Sequence, residues 1–210
     1  MTTAAITNSF NTEATAAAPD RILPQKVGGR LWAPMLVMAL MAFAVGIVLA
    51  IVRADAVDTA TDPDLIAALG HYVPAAMFLG FAAVFAAISF AIARILGEFR
   101  VGGGRVQEAA GVKVKTLKMP ATAKGFIAFM MMAMMLLIGA VVAHVVVGIQ
   151  VNNGDLSLVT SEQWSLWLEA ARRFGTALYL FGIGLGLATI IQVLRFQSFR
   201  IREVASEHTA

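Results

Sequence analysis

The sequence predicts an all-α integral membrane protein, a bundle of four membrane-spanning helices. Of its 210 residues, 59% are hydrophobic and only 14% are charged, whereas soluble domains average about 45–50% apolar and about 25% charged residues. Four apolar runs each approach or exceed the roughly 20 residues that a helix needs to cross the hydrocarbon core. None alternates like a barrel strand, so helices must satisfy the backbone in lipid. The predicted spans are 31–52, 72–96, 125–151 and 174–194.

The distribution of basic residues predicts the orientation. Thirteen of the 16 lysines and arginines lie in 1–30, 94–124 and 195–210, and the other three are Arg53, Arg172 and Arg173. Cytoplasmic segments of membrane proteins carry the excess of such residues. Both termini are therefore predicted to be cytoplasmic, which agrees with an even number of spans. A plasma (inner) membrane fits best, since no organelle transit peptide is recognisable.

The polar segments complete the predicted domain organisation. Residues 1–30 form a flexible cytoplasmic tail, and 97–124 form a basic cytoplasmic loop within the transmembrane domain 31–196. Residues 197–210 form a second cytoplasmic tail. These boundaries follow from polar composition and from Pro and Gly residues, which disfavour regular structure.

Two short surface helices are predicted before spans 2 and 4. Asp62-Pro63-Asp64 is a typical helix start, with Asp as N-cap and Pro in the first turn. The helix is expected over 63–69, with Gly70 and Pro74 breaking or kinking the entry to span 2. In 160–174, Trp164 and Trp167 share a face with Leu168 and Ala171. Trp is enriched at the membrane–water interface, which predicts an amphipathic helix there.

Composition excludes several function classes. The chain contains no cysteine, which excludes thiolate metal sites, iron–sulfur clusters and disulfides. No basic stripe is interleaved with aromatic residues, so nucleic-acid binding is not expected. The four spans contain no Asp, Glu or Lys, whereas coupled transporters usually keep such groups near the midplane.

His144 and His71 are the candidate cofactor-binding residues. His144 lies in span 3, on a helix face of mostly small residues that should turn towards neighbouring helices, and His71 precedes span 2 on the same side of the membrane. An ionisable residue inside the membrane is a functional candidate by default. The pair could ligate haem b or a metal, although their different predicted depths disfavour one shared haem. The alternative is a polar contact for His144 and a headgroup position for His71.

The methionines suggest copper as a further candidate cofactor, with less support than haem. Thioethers are soft ligands for Cu(I), and the cluster at 130–135 carries five methionines. These side chains point in all directions around a helix, so adaptable packing explains them better.

Three glycines and two arginines suggest contacts of span 4. Gly175, Gly182 and Gly186 share one face and predict close packing of another helix or a partner. Arg172 and Arg173 precede the span and are candidates for contact with lipid headgroups or anions, with Glu169 able to neutralise Arg173 in part.

The resulting functional hypothesis is a non-catalytic subunit of a larger membrane complex, respiratory or otherwise redox, serving as anchor, scaffold or assembly factor. Its partners would be other integral membrane subunits and membrane lipids. Two alternatives remain: a redox subunit that binds haem b or interacts with quinone through His144 and His71, and a small transporter or channel.

Overall fold

Four long helices dominate the computed structural model, which describes residues 10–60 and 62–207. Each helix is long and apolar enough to cross a membrane, which makes the chain a multi-pass membrane protein by length and composition. The prediction of four membrane-spanning helices is thus confirmed at that level. The helices are α1 (Leu23–Asp58), α2 (Pro63–Ala109), α3 (Ala121–Asn152) and α4 (Leu158–Glu207).

The helices extend well beyond the apolar runs, so parts of the segments predicted as tails and loop are helical. Residues 23–30 of the expected tail belong to α1, and the first part of the expected loop 97–124 continues α2 as far as Ala109. Most of the expected tail 197–210 is likewise the end of α4. An apolar run marks the stretch suited to lipid, but good helix formers such as Gln, Arg and Glu carry a helix onward into water.

The short helices predicted before spans 2 and 4 are not separate elements. Residues 63–69 are the first turns of α2, and 160–174 lie within α4. The predicted helix start itself is correct, since Oδ1 of Asp62 accepts a hydrogen bond from the backbone N–H of Asp64 at 3.0 Å. Neither Gly70 nor Pro74 interrupts α2.

A small antiparallel sheet, which the all-α prediction did not include, pairs β1 (Thr12–Thr15) with β2 (Val114–Leu117). Val114 and Thr116 are buried, whereas the residues between and after them are half-buried. This period of two is the ordinary pattern of a strand with one covered face. The alternation in Val-Lys-Val-Lys was the available signal for β2.

The chain forms two compact units, each containing parts of all four helices. We call them the histidine unit and the sheet unit. The histidine unit comprises Trp32–Ile88 and Ala128–Gly182, and the sheet unit comprises the described parts of 1–31, 89–127 and 183–210.

Glycines allow close helix packing within the histidine unit. A Cβ at Gly80 of α2 would lie 2.7 Å from the ring of Phe43 on α1, and one at Gly148 of α3 would lie 2.6 Å from the ring of Tyr72 on α2. Each glycine thus lets an aromatic side chain pack directly against a neighbouring helix backbone.

The sheet unit contains a polar network beside its two strands. Lys115 forms an ion pair with Glu203, and its backbone carbonyl accepts a hydrogen bond from Arg200. The Arg200 guanidinium lies 4.5 Å from the ring centroid of Phe196, and both residues are buried. The end of α4 is therefore fixed to β2 by specific contacts.

Candidate functional site

Two histidines from different helices meet in the histidine unit. Nδ1 of His71 on α2 lies 3.0 Å from Nδ1 of His144 on α3, and the two side chains are only 1% and 2% exposed. His144 therefore faces the protein interior. The expected difference in depth between the two histidines is wrong, because α2 begins at Pro63 and places His71 inside a helix that packs against α3.

Ser161 of α4 extends the pair to a third helix. Its hydroxyl lies 2.8 Å from Nε2 of His71, and the residue is buried. Ser165, one turn later, lies 3.5 Å from the same nitrogen, at the outer limit of a hydrogen bond. The first turns of α4 thus present serines at a four-residue spacing towards α2, and Leu168 continues this inward face.

The hydrogen bonds of the three residues are coupled through their tautomers. A neutral imidazole has one donor and one acceptor nitrogen. If His71 donates from Nδ1, its Nε2 accepts from Ser161 and Nε2 of His144 carries a hydrogen. If His144 donates from Nδ1 instead, His71 donates to Ser161 and Nε2 of His144 is an acceptor. In either case Nε2 of His144 is buried with no hydrogen-bond partner among the described residues.

An aromatic ring and an ionic cluster adjoin the pair. The ring of Phe78 contacts His144 edge-on, with centroids 5.2 Å apart, and the guanidinium of Arg172 lies 5.1 Å from the Phe78 centroid. Glu169 accepts hydrogen bonds from two groups of Arg172 and, at 2.9 Å, from Nε of Arg173. Arg172 is thereby committed to contacts within the chain, whereas Arg173 remains largely exposed.

The geometry does not fit a haem held by both histidines. Axial ligands of one haem lie on opposite sides of the iron. With metal–nitrogen bonds of about 2 Å, typical of imidazole ligands, they would be about 4 Å apart. The two Nδ1 atoms are instead 3.0 Å apart and face each other, as hydrogen-bonded groups do. An iron with its porphyrin has no room between them.

A metal ion also lacks a ligand set in the described part of the chain, where no three His, Asp or Glu side chains converge. The methionines of α3 diverge as well. Met130 is buried, Met131 and Met135 are exposed, and the sulfur of Met134 accepts a hydrogen bond from Tyr179. They do not form a common copper site.

The glycines of α4 pack against helices of the same chain. A Cβ at Gly175 would lie 2.9 Å from Leu137, and one at Gly182 would lie 2.9 Å from Met130, both on α3. In the sheet unit, a Cβ at Gly186 would lie 3.1 Å from Ile92 and Phe126. The predicted close-packing face is therefore occupied within the chain rather than free for a partner.

The tryptophans of α4 point away from the site. Trp167 is 75% exposed and Trp164 is also exposed, whereas Leu168 is buried in the core. The single face expected for Trp164, Trp167 and Leu168 is thus divided between the outside and the interior.

Sequence reasoning missed Ser161 and Ser165 as members of the site. Their four-residue spacing, continued by Leu168, marks one face of a helix, but serine is too common for this pattern to stand out. No family model, curated protein sequence or solved structure matches this chain. A function for this chain must therefore be inferred from the geometry of its own residues.

Proposed function

We propose that this multi-pass membrane protein is a non-catalytic subunit of a larger membrane complex, serving as its anchor, scaffold or assembly factor in the plasma membrane. A respiratory or other redox complex is the partner class to test first. Such a subunit acts through contacts with other proteins. The proposal is supported by the way the polar side chains of this chain pair with one another.

One observation carries the proposal: the polar groups of the histidine unit are largely used by the unit itself. Both ring nitrogens of His71 have partners in the unit, and Arg172 is paired with Glu169. A catalytic or transport site presents such groups to a substrate. Here the His71 contacts join α2 to α3 and α4, and the Arg172–Glu169 pair lies within α4. These groups therefore serve the structure of the unit itself, as a structural subunit requires.

The exposed tryptophans supply a surface for the partner. Trp167 and its neighbour Leu166 are both at least 70% exposed, just before the apolar segment 174–194. Aromatic residues are enriched in the cores of protein interfaces. They are also enriched at the headgroup level, so the experiment must separate the two uses.

Native electrophoresis of the tagged chain, expressed at its natural level and extracted in a mild detergent, tests the proposal. We expect the 22.2 kDa chain to migrate in a complex with other subunits. Replacing Trp164 and Trp167 together by alanine should release it. The matched control replaces Phe174 and Leu180, which are similarly exposed but lie in the apolar segment, and should leave the complex intact.

Migration of the wild-type chain alone, or only with copies of itself, would refute the subunit proposal. Equal behaviour of the tryptophan and control variants would assign the tryptophans to lipid contact. Membrane levels of each variant are compared by immunoblotting, so that loss of the complex is not confused with loss of the protein.

A second candidate function is favoured by Nε2 of His144. This nitrogen is buried without a partner among the described residues, and the coupled tautomers make it either a donor or an acceptor. A quinone offers carbonyl acceptors and a quinol offers hydroxyl donors, so the same nitrogen suits both redox forms. This supports a quinone-interacting redox subunit rather than a haem subunit.

Binding of a short-chain ubiquinone to the purified chain, measured by equilibrium dialysis, tests the second candidate. Loss of one hydrogen bond, worth about 0.5–1.5 kcal/mol, should make His144→Leu bind about 2- to 13-fold more weakly. Tyr179→Phe is the control, because it removes a different buried polar group of the same unit, the Tyr179 hydroxyl. Equal binding by wild type and His144→Leu would eliminate this candidate.

A further inference from the structure

A cavity of about 510 Å³ lies in the sheet unit, apart from the histidine pair. Three stretches of chain line it: Phe10 and Asn11 near the N-terminus, 117–121 between β2 and α3, and Gln192 with Arg195 on α4. Helix α3 begins at Ala121, and the apolar segment of α4 ends at 194. The cavity therefore lies where the apolar segments of two helices suited to spanning a membrane end.

The charge of the cavity is positive. Lys118 and Arg195 line it, and none of its described lining residues is acidic. Neither cation forms an ion pair within the part of the chain that the structure describes. Two cations in one concave site, without a carboxylate to neutralise them, favour an anionic ligand.

Directed polar groups accompany the cations. Oε1 of Gln192 accepts a hydrogen bond from Thr122 at 3.3 Å, which leaves the Nε2 hydrogens of the same amide as donors. The N-terminal end of α3, at Ala121, adds a partial positive charge. Guanidinium and ammonium groups both bind phosphate oxygens well.

The remaining wall of the cavity is apolar and held in place. Leu117, Met119 and Pro120 belong to it, and the ring of Phe10 packs 5.6 Å from that of Phe196. The backbone N–H of Lys118 donates to the carbonyl of Asn11 at 2.9 Å. The N-terminal stretch is thus joined to β2 and closes one side of the cavity.

We propose that this cavity binds the phosphate group of an anionic membrane lipid, with Lys118 and Arg195 contacting the phosphate and the apolar wall contacting the glycerol and first acyl carbons. Its location at the ends of two apolar segments suits a headgroup. Its side of the chain is the one that the basic residues predict to be cytoplasmic. Basic pockets between membrane helices on that side bind anionic headgroups in other proteins.

Native mass spectrometry of the full chain in a neutral detergent measures the binding. The probe is dioctanoylphosphatidylglycerol, compared with dioctanoylphosphatidylcholine, whose headgroup has no net charge. Each cation contributes about fivefold, equivalent to about 1 kcal/mol. We therefore expect the double variant Lys118→Gln, Arg195→Gln to bind phosphatidylglycerol about 30-fold more weakly than wild type.

Lys113→Gln with Arg202→Gln is the matched control, since both residues are exposed cations of the same unit that do not line the cavity. This variant should bind like wild type, and Lys118→Arg with Arg195→Lys should retain most of the binding. The charge-conserving variant shows that charge rather than folding is measured.

Three results would overturn the proposal. Equal binding of the two lipids would show that charge does not select the ligand. Equal loss in the cavity and control variants would show a general effect of surface charge. Displacement of phosphatidylglycerol by inorganic phosphate at similar concentration would show that the cavity takes free phosphate rather than a lipid headgroup.

Discussion

Replacing the two buried histidines singly and together tests whether they function as one hydrogen-bonded pair. In His144→Leu, Nδ1 of His71 loses its 3.0 Å partner while the ring remains buried. A buried polar group without a partner destabilises by about 1–3 kcal/mol. Measured contacts between membrane helices average nearer 0.6 kcal/mol and reach about 1.7. We expect each single variant to lose about 1–2 kcal/mol of unfolding free energy.

The double variant His71→Leu, His144→Leu should lose much less than the sum of the single variants. Exchanging both partners of a hydrogen bond for apolar groups is often nearly neutral. The hydroxyl of Ser161, freed from His71, can turn to the carbonyl of Ser157 one helical turn earlier. We therefore expect a coupling free energy of about 1 kcal/mol between the two histidines.

Unfolding of the purified chain in mixed micelles, followed by fluorescence of its three tryptophans, provides the four free energies of the cycle. Ser161→Ala and Ser165→Ala serve as a graded control. The first removes a 2.8 Å contact and the second a 3.5 Å contact with the same nitrogen, so only the first should destabilise measurably. If the histidine effects add within about 0.5 kcal/mol, the two side chains do not form a hydrogen-bonded pair.

Two further predictions concern the sheet unit. Gly28→Ala should destabilise the chain by about 1–3 kcal/mol through overpacking, because the new Cβ would lie 2.6 Å from the carbonyl oxygen of Phe90. The Cβ added by Gly29→Ala has no neighbouring atom within 4 Å, so this variant should stabilise the chain slightly, as alanine does in place of glycine in a helix. The same unfolding assay compares the two glycine variants. Arg21→Gln should change the unfolding free energy by less than about 1 kcal/mol, and less still at high salt, because the Arg21–Glu98 pair is about half exposed. A change above about 2 kcal/mol would contradict this expectation.

The sequence was sufficient to predict properties that depend on local composition. Runs of apolar residues identified the four long helices, and Asp62-Pro63-Asp64 identified the start of α2. It was insufficient for the helix ends, because polar helix formers continue a helix beyond the membrane core. It also missed β1, whose strand conformation depends on pairing with β2 about 100 residues later.

The candidate site depended on contacts between distant parts of the chain. His71 and His144 are 73 residues apart, and Ser161 is 90 residues from His71. Helical spacing indicated which way His144 faces, but the register of α2 against α3 decides which residue it meets. The depth estimated from the apolar run placed His71 too far from His144, because α2 begins before the apolar run does.

The two candidate functions make different demands on the same three residues, and this allows them to be separated. His71 is fully engaged, so an outside ligand can reach the site only through Nε2 of His144. A purely structural pair predicts that His144→Leu and Ser161→Ala alter stability and leave quinone affinity unchanged. A quinone site predicts that a given ligand concentration raises the unfolding free energy of wild type more than that of His144→Leu, because stabilisation grows with ligand concentration relative to the dissociation constant from the folded state. Ser161→Ala should retain that ligand-dependent stabilisation, since it leaves Nε2 of His144 in place.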